Sequence, residues 1–327
     1  MPTNLTPEFR HAEQEYKRAS TPEEKTAALK QMLSTIPKHK GTEKMQADIK
    51  RRLAKLKDEI RQQTKKRGFS IHVDREGAGQ VTIVGPPNSG KSSLIASLSG
   101  VELEIAAYPF TTQCPHPAMM AFEDVQIQLV DLPPVSRLHT ESWVAGIVRI
   151  SDLVVIVVDL GADDALEQVE ETLEVLEASK VRLVGGEPNS EPWASIVEKP
   201  ALMIGTKCDL SGGPDNAAAL SELYGDRFEL LTVSAETGEG LDEARRHVFQ
   251  RLKLIRVYSK PPHHEAELDR PYVLAEGSSL QDFASLVHKD FAEKLKFARV
   301  WGEGKYDGQR INRDFVLSDR DVVELHI

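Results

Sequence analysis

Two short stretches hold residues whose types and spacing could do chemistry. The first is GPPNSGKS, residues 85–92, which fits G-x-x-x-x-G-K-[ST] in full. It follows the apolar run VTIV and opens the helical pattern SSLIASLSG. A glycine-rich loop between a strand and a helix aims several backbone N–H groups at one spot, and the helix start adds its positive end. Such a loop wraps phosphates. The candidate residues are Gly85, Pro86, Pro87, Asn88, Ser89, Gly90, Lys91, Ser92 and Ser93. In that role the Lys91 ammonium sits on the β- and γ-phosphates and the Ser92 hydroxyl on Mg2+. The competing reading is a plain glycine-rich turn with a solvated lysine.

The second stretch is a pair. TKCD, residues 206–209, directly follows the run ALMIG, and SAETG, residues 234–238, follows ELLTV. A carboxylate at Asp209 can accept from both N1–H and the 2-amino group of guanine. Adenine offers neither donor, and a site built for such bonds discriminates strongly. The Lys207 stem would cover the ring face beside Thr206. Ser234, Ala235 and Glu236 would form the opposite wall, with the Ala235 N–H on guanine O6. A strand-end aspartate is often only a helix cap, so either tetrapeptide alone is weak. Their positions after successive strands make the pair specific.

These loops need elements to hold them. From about residue 79, short apolar runs alternate with helical segments: VTIV, VQIQLVDL, LVVIVVDL, ALMIG and ELLTV. Continuous Val/Ile/Leu runs separated by helices predict an α/β fold with a mainly parallel, doubly wound sheet. VQIQLVDL alternates at its start, as an edge or antiparallel strand does. Before this region, residues 1–67 read as helices. Thr21, Pro22 and Glu24 order a cap, a first-turn proline and a capping-box glutamate. Met45, Ile49, Leu53, Leu56 and Ile60 form one apolar stripe, with Lys50, Arg51, Arg52, Lys55, Lys57 and Arg61 on the other faces. From Leu254 onward, IRVYSK, RPYVLAEG, ARVWG and VVELHI surround a helix starting near Leu280, with Ser278 as candidate cap and Gln281 as its box partner. Strands around one helix predict a small α+β domain. Its aromatics Phe283, Phe291, Phe297 and Trp301 are expected in its core rather than stacked on bases.

Charge is uneven along the 327 residues. Residues 1–67 carry 17 Lys/Arg against 9 Asp/Glu, residues 68–255 carry 13 against 29, and residues 256–327 carry 11 against 13. A basic arm on an acidic body fits an anionic partner for the arm, or a solvated helical surface. No apolar run is long enough for a membrane span, and the first residues lack a secretion signal. With Cys114 and Cys208 as the only cysteines, no disulfide framework is expected. The expected location is the cytoplasm, with no membrane or DNA partner. Cys114, His116, His263 and His264 lack zinc-ligand spacing.

In the order GPPNSGKS, YPFTT, DLPP, TKCD and SAETG, the chain resembles the Obg and developmentally regulated GTP-binding (DRG) group of GTPases. HKGTEKMQADIKRRLAKLKDEI is similar to the helical region preceding the DRG G domain. VLAEGSSLQDFASLVHKDF, ARVWG, DGQR and VVELHI resemble a TGS domain, a ubiquitin-like β-grasp module. The resemblance implies a basic helical region at 1–67, a Ras-like GTP-binding domain at 68–253 and a TGS domain at 254–327. It implies slow Mg2+-dependent hydrolysis of GTP to GDP, with the ribosome or a translation-associated RNA as partner for the basic helices and the TGS domain. YPFTT looks like the first switch, with Thr112 binding Mg2+ and Thr111 the weaker candidate. Ser92, Thr112 and Asp131 would form the metal shell, and Lys91, Thr112 and Asn88 the catalytic set. At the Asn88 position some related GTPases place a potassium ligand, so K+ is a candidate cofactor; the alternative is that Asn88 only shapes the loop.

The chain departs from this group, or from GTPases more widely, in four places. Thr206 stands where asparagine is usual, which would loosen the base-binding loop. The interval between Asp209 and Ser234 is short, which leaves no room for the domain that DRG proteins insert here. The glycine of the usual Asp-x-x-Gly is Pro134, which has no N–H for a γ-phosphate, unless a neighbouring N–H replaces it. Val135 stands where some GTPases use glutamine to orient water, a hydrophobic substitution that the chain shares with the Obg-like class, from which the resemblance implies slow turnover. These last two changes make a nucleotide-holding scaffold the main competing function, with an ATPase behind it.

Overall fold

The run LVVIVVD is apolar at consecutive positions because the fold buries both of its sides. In the computed structural model it is strand β4 (Leu153–Asp159). Val154, Ile156 and Val158 face one core, and Leu153, Val155 and Val157 face another. The structure describes residues 11, 16, 22–35, 49, 51, 73–100, 115–138, 140–189, 194–262 and 264–327. Thr111, Thr112 and the rest of YPFTT lie outside the described residues, as do Cys114, His263, Thr21 and most of the apolar stripe from Met45 to Ile60.

Two compact units divide the chain, Met1–Ser70 and Ile71–Ile327. In the first, helix α1 (Pro22–Thr35) begins at its proline, as expected of a first-turn proline. Ala28, Leu29 and Met32 on α1 are buried, and so is Ile49.

The second unit opens with the predicted α/β sheet. Its strands are β1 (Gln80–Val84), β2 (His116–Phe122), β3 (Val125–Asp131), β4, β5 (Val181–Val184), β6 (Val197–Thr206) and β7 (Leu230–Thr232). The order is β2-β3-β1-β4-β6-β5, with β7 also on β6. Every pairing is parallel except β2 with β3. The alternation in VQIQLVDL therefore reports the antiparallel neighbour, but β3 is not the edge; β2 is. Helices α2 (Lys91–Ser99) and α6 (Leu241–Arg251) cover one face of the sheet. Helices α3 (Val144–Ile150), α4 (Ala165–Ala178) and α5 (Gly213–Tyr224) cover the other. Only α5 lies between β6 and β7.

The second sheet of this unit runs β11 (Gln309–Ile311), β10 (Phe297–Trp301), β12 (Asp321–His326), β8 (Leu254–Ser259), β9 (Tyr272–Ala275). Helix α7 (Leu280–Val287) packs Leu280, Phe283 and Ala284 on one face, and α8 (Lys289–Lys294) follows it. The cap of α7 is Ser279, not Ser278. Its hydroxyl accepts from the Asp282 N–H and the Asp282 carboxylate accepts from the Ser279 N–H, so Asp282 replaces Gln281 as the box partner. The aromatic expectation is also corrected in part. Phe283 is core and Phe291 packs on it, but Phe297 and Trp301 lie on the opposite, half-exposed face.

The two sheets meet through charge. The Arg256 guanidinium on β8 is 3% exposed and binds Asp319, Asp124 and Glu123. Glu123 and Asp124 form the turn between β2 and β3. Tyr258 donates to Asp124, and Arg320 pairs with Glu123 at 2.5 Å.

Candidate functional site: the phosphate loop and its neighbours

Strand β1 delivers the loop and α2 carries it away. Two glycines let it pass. At Gly85 (φ 155°) a Cβ would lie 2.3 Å from the Val157 carbonyl oxygen on β4. Gly90 (φ 84°) is left-handed and caps α2 without a side-chain acceptor. Asn88 is also left-handed, at φ 60°, and exposed. The first turn of α2 therefore carries no acidic residue and no side-chain cap, leaving its N–H groups for an anion.

Lys91 is the charged centre of the loop, and it is buried. Its ammonium donates to the Gly85 and Pro86 carbonyl oxygens at 3.1 and 2.6 Å. Burial drives its pKa down to about 8, against the pull of Asp131. A cation held by neutral carbonyls is a poor substitute for one paired with an anion.

Next to it, the Ser92 hydroxyl donates to Asp131 Oδ2 at 2.6 Å. The other oxygen, Oδ1, is buried and has no hydrogen-bond partner among the described residues. Burial pushes the Asp131 carboxyl up, while the Ser92 hydroxyl, Lys91 and His116 pull it down. A hydroxyl and an orphaned carboxylate oxygen at the start of a phosphate loop form an all-oxygen donor set. That chemistry fits a hard cation such as Mg2+. His116 faces Asp131 across the β2–β3 ladder. It was not among the sequence candidates for this site; pairing with β3 is what brings it here.

The candidate base-binding side joins the same loop. The Thr206 hydroxyl at the end of β6 donates to the Ser89 carbonyl at 2.7 Å and lies 3.1 Å from the Val158 carbonyl. The loosening expected from Thr206 is thus absent. Gly90 brings the phosphate loop within reach of a short side chain: a Cβ on Gly90 would lie 3.1 Å from the Thr206 hydroxyl. Lys207, at φ 57°, pairs with Asp159 at 2.5 Å and reaches the Asn88 carbonyl at 3.3 Å. Cys208 is half-buried against the core, and its N–H donates to Val233. Asp209 and Glu236 are exposed, Ala235 is half-buried, and Ser234 is fully buried. The Ser234 hydroxyl and carbonyl accept from Thr237 and Gly238, which fixes the SAETG turn.

After Asp131 the chain is unlike a free switch. Val135 is fully buried in the core under α3 and α4. Its N–H, the neighbour that could replace the donor missing at Pro134, instead bonds the Gly85 carbonyl at 3.0 Å. Farther on, the Arg137 N–H donates to Glu171 at 2.6 Å and its guanidinium pairs with Glu174 on α4.

Comparison with known proteins agrees with this arrangement. Residues 80–185 match the family model described as a 50S ribosome-binding GTPase, and residues 255–327 match the TGS domain. The chain is similar to an uncharacterised GTP-binding protein of Methanocaldococcus jannaschii, at 25% identity with 93% of each chain covered. It is similar to developmentally-regulated G-protein 1 of Arabidopsis thaliana at 25% identity, over 92% of this chain and 90% of that one. An uncharacterised GTP-binding protein of Schizosaccharomyces pombe is 27% identical, over 94% and 99%. With its phosphate loop, its candidate base-binding loops and its second sheet in this order, the chain carries a P-loop GTPase domain followed by a TGS domain and is similar over most of its length to GTP-binding proteins of the DRG group.

Proposed function

We propose that the chain hydrolyses GTP slowly to GDP and phosphate, with Mg2+, as a regulatory switch tied to the ribosome or a translation-associated RNA. The Ser92–Asp131 contact beside buried Lys91 carries this reading. Lys91 would leave the loop carbonyls for the phosphates, where its charge meets a formal opposite. Ser92 and Asp131, with Thr112, would hold Mg2+, which supplies positive charge to the phosphate oxygens. Asp209 would select guanine, with Thr206 tying its loop to the phosphate loop. Asn88 remains the candidate K+ ligand. Slow turnover follows from Val135, whose buried side chain cannot orient water. The ribosome link rests on the family description at residues 80–185 and on the basic excess of residues 1–67.

The test is single-turnover GTP hydrolysis with Mg2+, in KCl and in NaCl at equal ionic strength. Measurable turnover supports the GTPase, and faster turnover in KCl supports potassium at Asn88. Bound nucleotide with no turnover in either salt favours the second reading, a guanine-nucleotide-binding scaffold. The engaged Val135 N–H beside Pro134 motivates that second reading.

A further inference from the structure

His116 has no zinc-ligand spacing in the sequence, and it gains its neighbours through the β2–β3 ladder instead. On β2, Ala118 and Met120 point into the core under α2, and on β3, Ile127 and Leu129 do the same. Strand alternation therefore puts His116 and Asp131 on that face as well. They are direct partners in the antiparallel register, as are Ala118 with Leu129 and Met120 with Ile127. Directly opposed residues keep their Cβ atoms about 5 Å apart on one side of the sheet. The same end of this face holds the start of α2, where the Ser92 hydroxyl bonds Asp131. An imidazole, a carboxylate and a hydroxyl from three separate elements thus meet at one corner.

The backbone under His116 is stiff. Seven consecutive pairs fix β2 against β3, and Pro115 and Pro117 hold φ on either side. β2 is the edge of its sheet, where a strand can accommodate a proline. The His116 side chain itself is exposed, so the core asks nothing of it. Nor is it spent on the carboxylate. Asp131 Oδ1 has no hydrogen-bond partner among the described residues, and Oδ2 accepts from Ser92.

Ser92 and Asp131 offer oxygen alone, which suits Mg2+, whereas an imidazole nitrogen suits first-row transition ions. We propose that His116 is a nitrogen ligand to the divalent cation held at Ser92 and Asp131, and that it shifts the metal preference of the site from Mg2+ toward Co2+. The inference rests on the metal reading proposed above and adds to it a residue and a selectivity. A hydroxyl and a carboxylate would leave selection to the general affinity series of the metals; the imidazole adds a donor that Mg2+ uses poorly.

The probe is Mn2+ bound with saturating GDP to the full chain, read by electron spin-echo envelope modulation. The wild type should show the nitrogen modulation of a coordinated imidazole, and His116→Ala should lose it. Displacement of the bound Mn2+ by Co2+ and by Mg2+ then gives the ratio of their affinities. That ratio should fall about tenfold in His116→Ala, the size of effect expected at a metal site. Mg2+ affinity should stay within about threefold, because Mg2+ draws on oxygen. His116→Gln, which offers an amide oxygen at similar reach, should follow the alanine variant in both readouts. A wild type that binds Mn2+ without the imidazole signal would remove His116 and leave the metal at Ser92 and Asp131. A signal that persists in His116→Ala would belong to another histidine and would overturn the proposal, as would an unchanged affinity ratio. GDP binding that no divalent ion strengthens would remove the metal reading and this inference together.

Discussion

Lys91 and Arg256 are both buried cations in the same unit, in opposite electrical settings. Arg256 is surrounded by Asp319, Asp124 and Glu123, with the Phe249 ring 5.0 Å away. Its guanidinium is held well above its ordinary pKa, first by the Asp319 hydrogen bond. Lys91 has only neutral oxygens within its bonds, the Gly85 and Pro86 carbonyls and the Ser89 hydroxyl, and the neighbouring Asp131 carboxylate accepts from Ser92 instead. Its pKa falls to about 8. The first cluster is complete without a ligand and joins two sheets. The second is left short of negative charge, in the place where a phosphate would supply it.

The largest expected contrast comes from removing each cation. Lys91→Met should weaken guanine nucleotide binding roughly 100- to 1000-fold, about 3–4 kcal/mol. The nucleotide-free protein should be no less stable, because a costly buried charge is gone. A fluorescent GDP titration and nucleotide-free thermal unfolding check both halves. Arg256→Met should do the reverse, costing about 2–3 kcal/mol of stability in urea, below the range for fully buried pairs because water can reach its partners. Its nucleotide affinity should stay within about twofold, as expected for a site remote from the loop.

A smaller effect tests the tie between the two nucleotide loops. Thr206→Val removes the hydroxyl bound to Ser89 and should weaken nucleotide binding by about tenfold, the worth of one hydrogen bond. Thr206→Ser should retain most of it. Equal affinity of the valine variant would make the contact incidental.

The acid side of the stability curve sharpens the comparison further. Burial raises the Asp124 and Asp319 carboxyls, but Tyr258 and Arg256 at Asp124, and Arg256 at Asp319, outweigh it and hold both below their ordinary values. Their stabilisation is complete above the unfolded carboxyl value of about 4 and is lost as pH falls through the lower folded values. Stability of the wild type should therefore drop steeply below about pH 4. The drop should be shallower in Arg256→Met, measured by urea unfolding between acidic and neutral pH.

Most of the elements around the candidate nucleotide site were legible because their signals are local. The strand, glycine loop and helix around Lys91 are contiguous, and so are the runs preceding TKCD and SAETG. What was hidden depends on packing between distant segments. Thr206 looked like a loosened loop because the distance to Ser89 is set by Gly90, over a hundred residues away. Strand β2 has proline, methionine and alanine rather than β-branched residues, and it exists through its pairing with β3. The outward rings were misread although the signal was present. In FARVW, Phe297 and Trp301 alternate with Ala298 and Val300 and share a face with Arg299. Adjacent serines at 278 and 279 left the α7 cap ambiguous until the backbone chose Ser279.

Whether the nucleotide site senses the γ-phosphate turns on Pro134 and the engaged Val135 N–H. The direct measurement is the ratio of dissociation constants for GDP and a non-hydrolysable GTP analogue, with Mg2+, in the wild type and in Pro134→Gly. Wild-type affinities should lie within about tenfold of each other, and restoring a glycine N–H should shift preference toward the GTP analogue by roughly 10- to 150-fold. A wild type that already prefers the GTP analogue by more than about 100-fold, unchanged by Pro134→Gly, would contradict that expectation.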